Sequence, residues 1–123
     1  MIKNILLIAL GGALGSVLRY FTSIWVSKYY NQTFPLATFI TNIVGCFLIG
    51  LFVGYLDKNT VENSGLKWFL VTGFCGGYTT FSTFGLENQS LLQQQQFPIA
   101  LLYITTSVIV GILAVALGIY CTK

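Results

Sequence analysis

The chain has 123 residues, of which 55% are hydrophobic and 7% charged, with a formal net charge of +3 and a mean hydropathy of +0.80. An ordinary soluble domain carries about 25% charged residues, so this composition describes a membrane protein, and its scattered single lysines offer no basic run for nucleic acid to bind. Histidine is absent, and Cys46, Cys75 and Cys121 are odd in number and lack metal-ligand spacing, so an enzymatic role is not expected.

A membrane span takes roughly 20 apolar residues. Four spans therefore consume most of the sequence, and residues 1–123 read as a single all-α transmembrane domain with no room for a soluble one. The first helix is expected from about Ile5 to Trp25, retained rather than cleaved, because Lys3 runs straight into apolar residues with no small-residue cleavage site. Gly11, Gly15 and Arg19 recur on one face of it, with Gly12 and Ser16 alongside, a small-residue surface that lets helix backbones approach closely. Arg19 either snorkels to the interface or faces a water-filled vestibule and attracts anions.

Asn31 to Pro35 predict a turn, and Leu36 to about Tyr55 a second helix whose polar and small stripe is Thr38, Thr41, Asn42 and Gly45. A carboxamide at the centre of a span is costly unless hydrogen-bonded, so Asn42 is either interhelical glue or a pore ligand. A loop follows from Asp57 to Gly65, through Glu62, Asn63 and Ser64.

The third helix is the most informative segment. It is expected to begin near Trp68, break at Gly76 to Thr79 close to the membrane midplane, and resume to about Leu92, because Gly73, Gly76 and Gly77 precede the β-branched Thr79 and Thr80. In hydrocarbon such a break is tolerated only where it is buried in protein or lines a polar cavity. Past the break, Thr79, Thr80, Ser82 and Thr83 crowd a half-helix start that favours an anion. The carbonyls before it suit a small hard cation such as Na⁺. Phe81 and Phe84 share a face one turn apart and serve either packing or an anion, through the electropositive ring edge. Glu87, the carboxylate within a predicted span, either protonates in an exporter or plays a hydrogen-bonded structural part.

Gln93 to Gln96 form the last loop, and Pro98 opens a fourth helix to about Tyr120. On it Tyr103 can turn a phenolic donor inward, while Ser107, Gly111, Ala114 and Gly118 form a close-packing face. Tyr29, Tyr30, Trp68 and Tyr120 suit the membrane interfaces. Lys3, Lys58, Lys67 and Lys123 on one side stand against Lys28 and Arg19 on the other, a weak orientation bias compatible with insertion both ways and an antiparallel homodimer.

With these residues in place, the chain resembles the bacterial CrcB family of small fluoride channels, also called Fluc, over nearly its whole length. The residues that carry the resemblance are GGALGSVLRY at Gly11 to Tyr20, TFITNIVGCFLIG at Thr38 to Gly50 and GFCGGYTTFSTF at Gly73 to Phe84. The resemblance implies a dual-topology antiparallel homodimer with two fluoride pores in the bacterial inner membrane, and a structural Na⁺ at its centre held by backbone oxygens of Gly76 and Thr79. Carried over residue by residue, Asn42, Phe81, Phe84 and Tyr103 fall on pore positions, Ser82 and Thr83 on the adjoining hydroxyl track, and Arg19 on the vestibule arginine. Tyr78 departs from the pattern, which often has an aliphatic residue there, a change that touches helix packing more than the ion path. The implied partners are fluoride, lipid and a second copy of the chain, with no organic cofactor and no nucleic acid. The implied activity is passive export that lowers fluoride toxicity, since an inside-negative potential drives an anion outward by about 2.3 kcal/mol per 100 mV. Two other classes were weighed on sequence. A small multidrug exporter needs a carboxylate deep in the first helix, where this chain has Arg19. A non-transporting scaffold would have no use for the broken third helix.

Overall fold

A computed structural model describes residues 1–59 and 64–123 as all-helical. The helices are α1 (Ile2–Tyr29), α2 (Leu36–Lys58), α3 (residues 64–78), α4 (Phe81–Gln93) and α5 (Phe97–Tyr120). Of the expected Asp57–Gly65 loop, Glu62 and Asn63 lie outside the described residues, and α3 already begins at Ser64.

The 28, 23 and 24 residues of α1, α2 and α5 make them long and apolar enough to cross a membrane. At about 1.5 Å per residue each exceeds the roughly 30 Å hydrocarbon core. That excess explains why α1 and α2 outrun their expected ends. Hydropathy marks where the hydrocarbon stops, whereas the backbone stays helical into the interface until turn chemistry stops it, at the extended Tyr30 for α1. At the same end of the bundle α4 closes with Gln95 at φ 59°. There Gln96 N–H donates to the Leu91 carbonyl at 2.8 Å and Gln95 N–H to the Leu92 carbonyl at 3.1 Å, a Schellman ending. Pro98 then sits in the first turn of α5, where a missing N–H costs nothing.

The third helix is broken, but not where the glycines suggested. Gly76 is helical, at φ −62° and ψ −36°. The chain becomes extended at Thr79, φ −82° and ψ 158°, and at Thr80, φ −150° and ψ 119°. Before that, Trp68–Cys75 is wound as a π-helix between the α-helical Ser64–Lys67 and Gly76–Tyr78. The glycines are used for contact instead of bending. A Cβ at Gly73 would lie 3.1 Å from the Gly11 Cα, and one at Gly77 would lie 3.0 Å from the Gly12 Cα, so α1 and α3 meet backbone to backbone. Extended geometry falls to the β-branched threonines, which favour it.

The second close contact joins α2 to α5. A Cβ at Gly50 would run into the Val115 backbone, and one at Gly118 would lie 2.7 Å from the Leu51 nitrogen. Between α4 and α5, Leu91, Ala100 and the fully buried Tyr103 form a small core, joined by Phe34, Phe39, Phe84 and Ile99. The outward faces of α1 and α5 are exposed aliphatic residues, among them Leu6, Leu10, Leu14, Ile112 and Leu113, suited to lipid. Cys121 is exposed just past the end of α5.

Candidate ion pathway at the broken helix

Breaking a helix in a bilayer strands backbone groups, and α2 supplies the remedy. The Asn42 carboxamide donates from Nδ2 to the Thr80 carbonyl at 3.1 Å and accepts at Oδ1 from the Thr80 N–H at 2.8 Å. One side chain thus satisfies both peptide groups of the extended residue, the interhelical role that sequence allowed. Its second Nδ2 hydrogen makes no hydrogen bond among the described residues.

On the α3 side, Thr79 donates both its N–H, at 3.0 Å, and its hydroxyl, at 2.8 Å, to the Cys75 carbonyl. Because the Thr80 N–H goes to Asn42, it does not reach the Gly76 carbonyl as it would in a continuing helix. That oxygen is left with the chemistry of a cation ligand, on a residue exposed at a cavity wall. On the α4 side, Thr80 is the N-cap. Its Oγ1 accepts from the Thr83 N–H at 3.2 Å and is 3.2 Å from the Thr83 hydroxyl and 3.3 Å from that of Ser82. Sequence reasoning did not single out Thr80 as the N-cap, and it began the break three residues too early, at Gly76.

Phe81 is 83% exposed, whereas Phe84 is half-buried. Their rings lie 5.7 Å apart, and Phe84 meets Tyr103 edge-on at 4.9 Å. The Tyr103 hydroxyl donates to Glu87 Oε1 at 2.9 Å, and the Thr38 hydroxyl donates to Glu87 Oε2 at 3.0 Å. The carboxylate therefore ties α2, α4 and α5 together, the hydrogen-bonded alternative for Glu87, and in this arrangement it occupies the proton that Tyr103 could otherwise offer a ligand.

Two cavities meet at the break. One of about 400 Å³ is lined by Asn42, Cys75, Gly76, Thr79, Phe81 and Phe84, among others. The other, about 300 Å³, is lined by Ser16, Arg19, Ser23, Thr38 and Thr83, among others, with no carboxylate in its wall. Thr80 borders both. Arg19 thus looks onto hydroxyls next to the break, while Phe81 and Phe84 stand with Gly76 and Thr79 on the first cavity. Tyr103, Ser82 and Thr83 attach to this cluster through Phe84, Glu87 and Thr80. Sequence reasoning placed Ser107 on a close-packing face, whereas its hydroxyl is buried without a partner on the first cavity wall; the pairing of Tyr78 with Thr22 was not foreseen. No group of three His, Cys, Asp or Glu residues that could hold a metal occurs among the described residues, so any cation here would rest on carbonyl and hydroxyl oxygens.

Three membrane-length helices and a broken third span define a small multi-pass membrane protein with polar groups gathered at the break. The chain belongs to the family described as CrcB-like protein, Camphor Resistance (CrcB), whose model matches residues 6–119. It is 57% identical over 121 residues, 98% of each chain, to a Flavobacterium psychrophilum protein named fluoride-specific ion channel FluC. Proteins of the same name from Azobacteroides pseudotrichonymphae and Phocaeicola vulgatus are each 44% identical, the first across 100% of this chain and 98% of its own, the second across 98% and 99%. These relatives are named as channels, a non-enzymatic class.

Proposed function

We propose that the protein is a fluoride-specific channel that lets cytoplasmic fluoride leave passively across the bacterial inner membrane. The observation that carries the reading is the whole-length relation, at up to 57% identity, to proteins of that name. The geometry agrees with it. Fluoride is small and strongly hydrated, so a path for it needs close donors to replace water and a bore too narrow for chloride. Arg19 and the hydroxyls beside it form an anion-attracting entry with no opposing carboxylate in its wall. Beyond it, Asn42, Ser82 and Thr83 supply donors, and Phe81 and Phe84 supply electropositive ring edges, with Tyr103 setting the position of Phe84.

In this reading the working unit is an antiparallel homodimer with two pores. The largely exposed Phe81 and the open first cavity are the face that a second copy would cover. A structural Na⁺ would rest on the backbone oxygens of Gly76 and Thr79, supplying fixed positive charge beside the anion route. The chain's own part is to keep those oxygens out of helical hydrogen bonds: Asn42 claims the Thr80 N–H that would go to Gly76, and the Thr80 hydroxyl claims the Thr83 N–H that would go to Thr79.

The test is efflux from liposomes containing the purified protein, read with fluoride and chloride electrodes in the presence of a potassium ionophore. Rapid fluoride release without chloride release is expected. Silence for both ions from a folded, monodisperse sample would overturn the reading. Phe81→Ile and Phe84→Ile are each expected to slow fluoride efflux at least tenfold while the assembly stays intact by size-exclusion chromatography; wild-type rates in both would remove the two rings from the path.

A further inference from the structure

The break is clamped from two sides, and the second clamp is not part of the ion path. Tyr78 is the last helical residue before the break and is 8% exposed. Its ring lies parallel to Phe74, one turn earlier, at 6.1 Å and 6°. The ring also approaches α2, since a Cβ placed on Gly45 would sit 3.6 Å from the Tyr78 Cδ2. The hydroxyl reaches the third neighbour, α1, lying 3.0 Å from the Thr22 Oγ1.

The direction of that bond follows from where the Thr22 proton goes. A threonine hydroxyl has one proton, and Thr22 donates its own to the Leu18 carbonyl at 2.9 Å. With the Thr22 proton on the Leu18 carbonyl, Tyr78 is the donor and Thr22 the acceptor. At the same residue the Tyr78 backbone nitrogen is pressed against Gly15, where a Cβ would come within 2.8 Å of it. α1 thus grips Tyr78 at its backbone and at its phenol, two turns of α1 apart. Thr80, two residues on, is held by Asn42 of α2. Thr79 lies between these two fixed points, with its N–H and hydroxyl on the Cys75 carbonyl.

From this geometry we infer that Tyr78, through its hydroxyl bond to Thr22, is a positioning residue that sets the orientation of the Thr79 and Gly76 carbonyls and so the grip of the break on its cation. The inference rests on the proposed sodium site for its functional consequence. Its mechanical content, that the Tyr78 hydroxyl restrains the break, stands independently. Tyr78→Phe is the clean probe, because it keeps the ring and its stacking on Phe74 and deletes only the donor.

Two readouts separate the parts. In hydrogen exchange of the purified protein, amides of the Thr79–Phe81 segment are expected to exchange about fivefold faster in Tyr78→Phe, the size of effect a lost buried hydrogen bond gives. Thr22→Val should match it, Thr22→Ser should restore protection, and the double variant Tyr78→Phe/Thr22→Val should be no faster than either single. In liposomes dialysed free of sodium and titrated back with Na⁺, Tyr78→Phe should need severalfold more Na⁺ for half-maximal fluoride efflux, with a maximal rate within twofold of wild type. Wild-type exchange at the break in Tyr78→Phe, or additive effects of the two variants, overturns the inference whichever ion the protein conducts. An unchanged Na⁺ requirement alongside faster exchange overturns the link to the cation. Faster exchange with no fluoride efflux from any variant keeps the clamp and overturns the channel reading instead.

Discussion

Asn42 shows how much chemistry one side chain can concentrate. Sequence left it between interhelical glue and pore ligand, and the coordinates give it both bonds of the Thr80 peptide group. Asn42→Asp keeps the acceptor for the Thr80 N–H but loses the donor to its carbonyl and places a negative charge beside an anion route. Fluoride efflux should fall at least tenfold in liposomes, with assembly retained on size exclusion. Asn42→Ala loses both bonds and should cost about 1–2 kcal/mol of stability, read as a lower unfolding midpoint in a detergent titration. The carboxylate of Glu87 makes a similar case. Gln in its place offers one oxygen where Thr38 and Tyr103 both need an acceptor, so Glu87→Gln should free the Tyr103 ring. Tyrosine fluorescence or ring NMR would show that mobility, and efflux should slow with it. None of these partnerships was visible in sequence, because each joins residues 16 to 49 positions apart.

At the scale of elements, sequence conveyed four hydrophobic segments and a broken third one, because apolar run length and clustered glycine are local signals. The position of the break was misplaced because glycine has two uses. Freedom to bend was the use assumed, whereas Gly73 and Gly77 actually lack side chains so that α3 can lie against Gly11 and Gly12 of α1. The π-wound turns of Trp68–Cys75 leave no compositional mark and were not foreseen. Gly15→Ala tests the packing account: its methyl would meet the Phe74 carbonyl and the Tyr78 nitrogen, and overpacking of this kind should cost about 1–3 kcal/mol in the same detergent titration. The opposite sign is expected at the end of α4. Gln95 holds φ 59°, a region glycine occupies without strain, so Gln95→Gly should raise the melting temperature slightly, by the equivalent of about 0.5–1 kcal/mol.

At the scale of the whole molecule, the apolar surfaces of α1 and α5 place the chain in lipid, and its weak charge bias leaves orientation open. If both orientations are needed for one functional unit, adding lysines at Gln32 and Thr33 should shift tag accessibility toward a single orientation and reduce efflux. Co-expression with a variant biased the other way should restore it. The bracket between Asn42 and Thr80 carries a consequence for how the chain is made. A ribosome delivers α2 before α3 and α4, so the side chain that will satisfy Thr80 is already in the bilayer when the extended segment arrives. The discontinuous segment, which would strand polar backbone in hydrocarbon if it entered alone, is thereby inserted beside a waiting partner, and the order of the gene becomes part of what makes the break tolerable.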